Sequence, residues 1–249
     1  MNYLLFLEQK MIRDPVLYLS ITNTLYSFMF FYVLDKILNI KEKAKYFFMH
    51  SVLNTYIVVT TAEETLLYLT SPDIDIRSYN ETSIVSASVC IGFHLYHYLT
   101  SILDFETKIH HLLTVFLTGS CSILIQNGPT TSAINFFMCG LPGGIDYILL
   151  VLLQYKKIDK ITEKWMNRWL NLLIRMPGMF LVTCVLITKI YREQLFLSCV
   201  MHIITTLTML INSIYYCNKV VGNFHVYHFR KHFAATQLTR AELRSASFR

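Results

Sequence analysis

Apolar residues in this chain are gathered into long blocks. Seven stretches, at about 16–34, 46–62, 82–103, 109–126, 131–153, 169–188 and 194–216, each have the roughly 17–25 mostly apolar residues that a membrane-spanning helix needs. The second is the weakest, because His50 and Asn54 interrupt it. The opening apolar run, Tyr3–Leu7, is too short for a cleavable signal peptide, and charges follow it at once. The pattern holds no internal repeat and no low-complexity segment. It predicts an all-α, multi-pass membrane helix bundle of seven transmembrane helices.

The polar residues inside these blocks are spaced to share faces when each step is taken as 100°. His50, Asn54, Thr61 and Glu64 align on the second span, and His94, His97, Ser101 and Asp104 on the third. His111, Thr114, Thr118 and Ser122 align on the fourth, and Asn135, Cys139, Pro142 and Asp146 on the fifth. Ser198, His202, Thr205, Thr206 and Ser213 do so on the seventh. Serine and threonine stripes are explained by hydrogen bonds between helices, each worth about 1 kcal/mol or less. Histidines and aspartates at membrane depth are not, since ionisable groups there are costly and by default mark function. A shared polar central cavity accounts for both.

Within that cavity the chemistry divides by residue. His110 and His111 point about 100° apart. His111 heads the polar stripe and is the inward residue, whereas His110 shares a side with Leu113 and Leu117 and faces a neighbouring helix at the cytosolic mouth. Imidazole serves as base, acid or nucleophile, and Asp146 on a facing helix would orient it as in a triad. A hydrogen-bonded helix start is the plainer account of the pair. Pro142-Gly143-Gly144 predicts a kink that suits a pocket wall or simple helix packing. Arg175 is expected either against Glu64, Asp104, Asp146 or a lipid anion, or snorkelling to the surface.

Composition and charge sharpen the picture. The chain of 249 residues is 54% hydrophobic and 15% charged, against about 25% charged in soluble domains. This excludes both a soluble monomer and a disordered chain. The net charge of +6 could point to nucleic acid, but its distribution argues for topology instead. With seven spans, sixteen basic residues fall on one side and five on the other, which makes the N-terminus lumenal and the C-terminus cytosolic. Asn80-Glu81-Thr82 is a glycosylation sequon, with Asn80 on the lumenal side. The six cysteines lie singly in apolar surroundings without metal-ligand spacing, so they read as packing residues. The tail containing His225, His228 and His232 is basic and aromatic, and reads as an interfacial segment on anionic lipid, with metal binding as an alternative.

The run Gly92-Phe93-His94-Leu95-Tyr96-His97-Tyr98-Leu99, then His110-His111-Leu112-Leu113-Thr114, then Gly143-Gly144-Ile145-Asp146-Tyr147, resembles the TLC domain. That family includes ceramide synthases, a translocation-associated membrane protein and lipid-homeostasis proteins. The resemblance covers roughly residues 40–220. It implies a six-helix bundle around a cavity, with one preceding span. The division is then residues 1–40 for the N-terminal segment and first span, 41–218 for the TLC-like domain and 219–249 for a basic cytosolic tail. In the ceramide synthase branch the double histidine, a His-Asp dipeptide and a further Asp serve acyl transfer from acyl-coenzyme A to a sphingoid base. The pair maps to His110 and His111 and the last Asp to Asp146. The His-Asp dipeptide maps to Pro142 and Gly143 and is absent.

The expected function is binding or modification of a long-chain acyl lipid, by N-acyl transfer if catalytic. His111, His110 and Asp146 are the candidate catalytic residues. His94, His97, Asp104, His50, Asn54, Arg175 and His202 are the candidate cavity residues, and Lys156, Lys157 and Lys160 the candidate ligands for acyl-coenzyme A phosphates. No resident cofactor or metal is expected. Membrane lipids are the expected partners, nucleic acid is not, and a homodimer or a membrane-protein partner fits such a bundle. The endoplasmic reticulum is the expected location. The alternative is a non-catalytic lipid-sensing, membrane-homeostasis or trafficking protein with the same cavity. A di-iron hydroxylase lacks the required HxxHH clusters, and a seven-span transporter or receptor is the generic fallback.

Overall fold

The computed structural model describes residues 15–70, 81–192 and 195–246. Asn80 therefore lies outside the described residues. Those described form seven helical rods joined by short turns: α1 (Pro15–Ile37), α2 (Glu42–Thr70), α3 (Glu81–Thr100), α4 (105–124), α5 (Pro129–Gln154), α6 (Lys160–Arg192) and α7 (Phe196–Ala246). Among the described residues there is no strand. Four rods, α1, α5, α6 and the Phe196–Phe233 part of α7, are long and apolar enough to cross a membrane.

The turns between rods follow from local chemistry. Lys45 near the start of α2 reaches Asp35 Oδ1 at the end of α1 and Glu42 Oε1, each at 3.1 Å, and closes the α1–α2 turn. Asp104 and Asp159 cap α4 and α6, accepting hydrogen bonds from the backbone N–H groups of Thr107 (2.7 Å) and Thr162 (2.9 Å). Gly128, at φ 55°, turns the chain into Pro129 at the head of α5.

Two sequence boundaries shift. α6 begins at Lys160, well ahead of the apolar run at 169–188, because its first three turns are amphipathic. α7 runs unbroken past 219, so the basic tail continues the last helix instead of forming a separate element.

Contacts at the rod ends set alternating directions. Lys219 pairs with Glu106, Lys231 Nζ is 3.7 Å from Asp159, and Lys160 lies over the Tyr227 ring at 4.4 Å. The α3–α4 turn, the α5–α6 turn and the C-terminal half of α7 therefore share one end of the bundle. At the opposite end, Lys189 of α6 donates to Asn127 Oδ1 in the α4–α5 turn (2.9 Å).

The distribution of polarity is inverted relative to a soluble protein. Val59, Leu173, Phe180 and Ile211 are exposed, while His97, Asn54, Thr61, Ser86, Glu163 and Thr205 are buried. An apolar exterior around polar interior faces is what a lipid solvent selects. Apolar packing holds the bundle in separate clusters. Phe31, Leu53, Ile57, Phe93 and Tyr96 join α1, α2 and α3, and Tyr68, Ile134, Met179, Val182, Leu186 and Met209 join α2, α5, α6 and α7. Glycines allow the closest approaches: a Cβ on Gly92 would lie 2.3 Å from the Thr24 carbonyl oxygen of α1.

Candidate functional site

Three rods contain one wide π-helical turn each: His111–Leu117 in α4, Phe136–Gly140 in α5 and Asn171–Arg175 in α6. Such turns cluster at functional sites because they re-aim side chains within a continuous helix. Each carries a residue, His111, Cys139 or Arg175, that lines one pocket of about 280 Å³ between the rods.

Imidazoles crowd one wall of this pocket. The His111 ring is 4.8 Å from His94 and 5.6 Å from His97, and His50 is 5.2 Å from His97. The Tyr147 ring stacks on His50 at 4.3 Å, and Tyr46 packs on His50 and His97. His50 Nδ1 lies 3.0 Å from the Tyr46 carbonyl oxygen and His94 Nδ1 2.8 Å from that of Cys90. A carbonyl only accepts, so both Nδ1 atoms carry the proton and both Nε2 atoms present lone pairs when the rings are neutral. His111 Nδ1 and His97 Nε2 are buried without a hydrogen-bond partner.

The neighbouring wall is charged. Asp146 of α5 and Arg175 of α6 line the same pocket. Arg175 Nη1 donates to Asn171 Oδ1 (2.8 Å), and Asn171 Nδ2 donates to Asn167 Oδ1 (2.8 Å). Arg175 Nε and Asp146 Oδ1 are buried without partners. Among the described residues, no three His, Cys, Asp or Glu side chains converge as metal ligands.

His50, Asn54, His94, His110, His111, Asp146 and Arg175 all line the pocket, and His97 packs behind it against His111. His110 also faces α7, as its angular offset from His111 requires: its Nδ1 lies 3.0 Å from Asn212 Oδ1 and its ring 4.9 Å from Tyr216. Pro142 and Gly143, at the positions of the absent His-Asp dipeptide, are buried on α5. Gly143 lets Asn54 approach, since a Cβ there would lie 2.8 Å from Asn54 Nδ2.

Several expected site residues lie elsewhere. Asp104 is exposed and caps α4, because α3 ends at Thr100 and the helical spacing stops with it. His202 is buried at the opposite end of the bundle, its Nε2 2.9 Å from Asn127 Oδ1. Lys156 and Lys157 are exposed in the α5–α6 turn, and Lys160 covers Tyr227. None of these five lines the pocket. Asp146 makes no hydrogen bond to His111, and His94, His110 and His97 are the rings packed on it, His94 nearest.

No family model matches the chain. The curated proteins and the solved structures likewise hold no match.

Sequence reasoning missed the polar face of α6. Glu163, Asn167, Asn171 and Arg175 recur at intervals of four, and the first three are buried. The signal was present, but a search confined to the apolar run begins after Glu163 and Asn167. Tyr46, Tyr147, Asn212 and Tyr216 were also passed over, because aromatic residues are common throughout the chain.

Proposed function

We propose that this chain is a seven-span membrane protein of TLC type, resident in the endoplasmic reticulum, that takes a long-chain acyl lipid into the histidine-lined pocket. The N-terminus is lumenal and the C-terminus cytosolic, so the basic turns and α7 tail lie on the cytosolic side. The observation that carries the reading is one pocket holding His50, His94, His110, His111, Asp146 and Arg175 inside rods whose outer faces are apolar. Polar groups at membrane depth with unmet hydrogen-bonding capacity call for a polar ligand or water. An amphiphile supplies the polar group and enters from the bilayer. Purified full-length protein is expected to yield one enriched acyl-lipid class on extraction and mass spectrometry. An extract matching the bulk membrane would refute the reading.

A catalytic form of the same reading is favoured by the contact between His111 and His94. In N-acyl transfer, the substrate amine attacks the thioester carbonyl of acyl-coenzyme A, the C–N bond forms, the C–S bond breaks, and a proton passes from the amine to the departing thiolate. His111 is the base or transient acyl carrier. His94, with Nε2 as an acceptor, is the adjacent proton acceptor. His110 and Asp146 contribute to the polar wall. Incubation with acyl-coenzyme A and a panel of sphingoid bases tests this form. Turnover should fall by about 10²–10⁴-fold in His111→Ala and persist in Leu173→Ala, which changes an exposed apolar side chain. Absence of turnover alongside a co-purified lipid would leave binding as the activity.

A further inference from the structure

We infer that the polar end of the pocket takes a zwitterionic headgroup, with its anionic group on Arg175 and its cationic group on Asp146. This rests on the acyl-lipid reading above and specifies the head of that lipid.

Arg175 and Asp146 line one pocket from two different rods and attract each other across it, yet among the described residues no ion pair within 4 Å and no hydrogen bond joins them. Arg175 spends Nη1 on the neutral Asn171 and keeps Nε buried and unpartnered. Asp146 keeps Oδ1 buried and unpartnered. The neighbouring charges on α6 do not alter the balance, because Glu163 Oε2 is 3.2 Å from Lys164 Nζ and that pair is neutral. One separate cation and one separate anion therefore remain on the wall.

An uncompensated charge in a low-dielectric interior is costly, and removing one partner of a buried pair exposes that cost. A head with only negative charge would satisfy Arg175 and leave the pocket with the excess charge of Asp146. A head with only positive charge would do the converse. A head carrying both signs pairs with both groups and leaves no excess. The chemistry fits either an ammonium with a phosphate or an ammonium with a carboxylate.

The test is equilibrium binding to the purified full-length protein in detergent, with four probes of common tail length. Palmitoyl lysophosphatidylethanolamine and palmitoylcarnitine carry the two kinds of zwitterion, palmitate carries an anion and hexadecylamine a cation. At least one zwitterion should bind about tenfold or more tightly than either singly charged probe, and the tighter of the two identifies phosphate or carboxylate as the anion. Arg175→Gln should shift the order towards hexadecylamine and Asp146→Asn towards palmitate, while Arg175→Lys should keep the wild-type order. Equal binding of all four probes by the wild type, or an unchanged order in both charge-removing variants, overturns the headgroup inference and leaves the acyl-lipid reading standing. Failure of every probe to bind overturns both. A wild type that binds a singly charged probe as tightly as both zwitterions overturns the inference without requiring any variant to fold.

Discussion

At Gly178 a Cβ would lie 2.2 Å from Phe137 Cδ1 and 2.3 Å from Cγ, inside the contact between α6 and α5. The ring cannot retreat by bending at its tip, because Cγ is its point of attachment. Gly178→Ala is therefore expected to destabilise the fold by about 1–3 kcal/mol, the usual cost of overpacking. Thermal unfolding in detergent would register it, and Phe137→Leu should recover part of the loss. Gly222 provides the contrast. It sits on an exposed part of α7 with nothing within 4 Å of its would-be Cβ, so Gly222→Ala should stabilise by about 0.5–1 kcal/mol through helix propensity alone. Equal effects at the two sites would contradict the packing described for α5 and α6.

Among the elements, α4 depends on its cap. Hydrogen bonds from Thr107 hold the Asp104 carboxyl below the usual carboxylate range. A group depressed on folding contributes stability that is fully present above its unfolded pKa and is lost as the pH falls through its folded value. The first turn of α4 should therefore fray at acidic pH, seen as a lower protection factor for the Thr107 amide once the intrinsic pH dependence of exchange is divided out, and Asp104→Asn should flatten that dependence. A pH-independent protection factor in the wild type would remove the cap from the account. Asp104 also illustrates what a sequence can and cannot convey about these rods. Spacing at 100° per residue correctly grouped His50 with Asn54, His94 with His97, and His111 with Thr114, since each set lies within one helix. It misplaced Asp104, which lies past the end of α3, and His202, whose helix position was sound but whose end of the bundle depends on how α7 meets the α4–α5 turn. Glu163 and Asn167 were hidden by hydropathy, because an amphipathic helix start does not register as part of an apolar span.

Over the whole molecule, the helix directions and the basic residues agree. Lys156, Lys157 and Lys219 lie at the end that includes the α3–α4 and α5–α6 turns and the C-terminal half of α7. The α1–α2 turn, with Lys41 and Lys43, joins them there, because Tyr46 at the head of α2 packs on His97 and Tyr147. Under the proposed orientation this end is cytosolic. A peptide tag placed after Arg249 should be removed by protease added to sealed microsomes, and a tag preceding Met1 should survive until detergent is added. The reverse result would invert the orientation and place the histidine pocket nearest the lumen. Positive charge could be counted from the sequence, whereas the antiparallel order of the rods required contacts such as Lys231 with Asp159.

The three wide turns have a consequence for how this pocket can change by deletion. Each holds one residue more than the surrounding α-helical winding would need, and the wide turn absorbs it, so the helix on either side keeps its phase. Excising the exposed Leu172 would leave every pocket side chain in the protein. If the turn then closed to ordinary winding, the segments that carry Asn167 and Met179 would keep their relative phase, and the change would fall on Arg175, which lies within the turn. A deletion of one exposed leucine would thus re-aim Arg175 while leaving the packing of α6 in place.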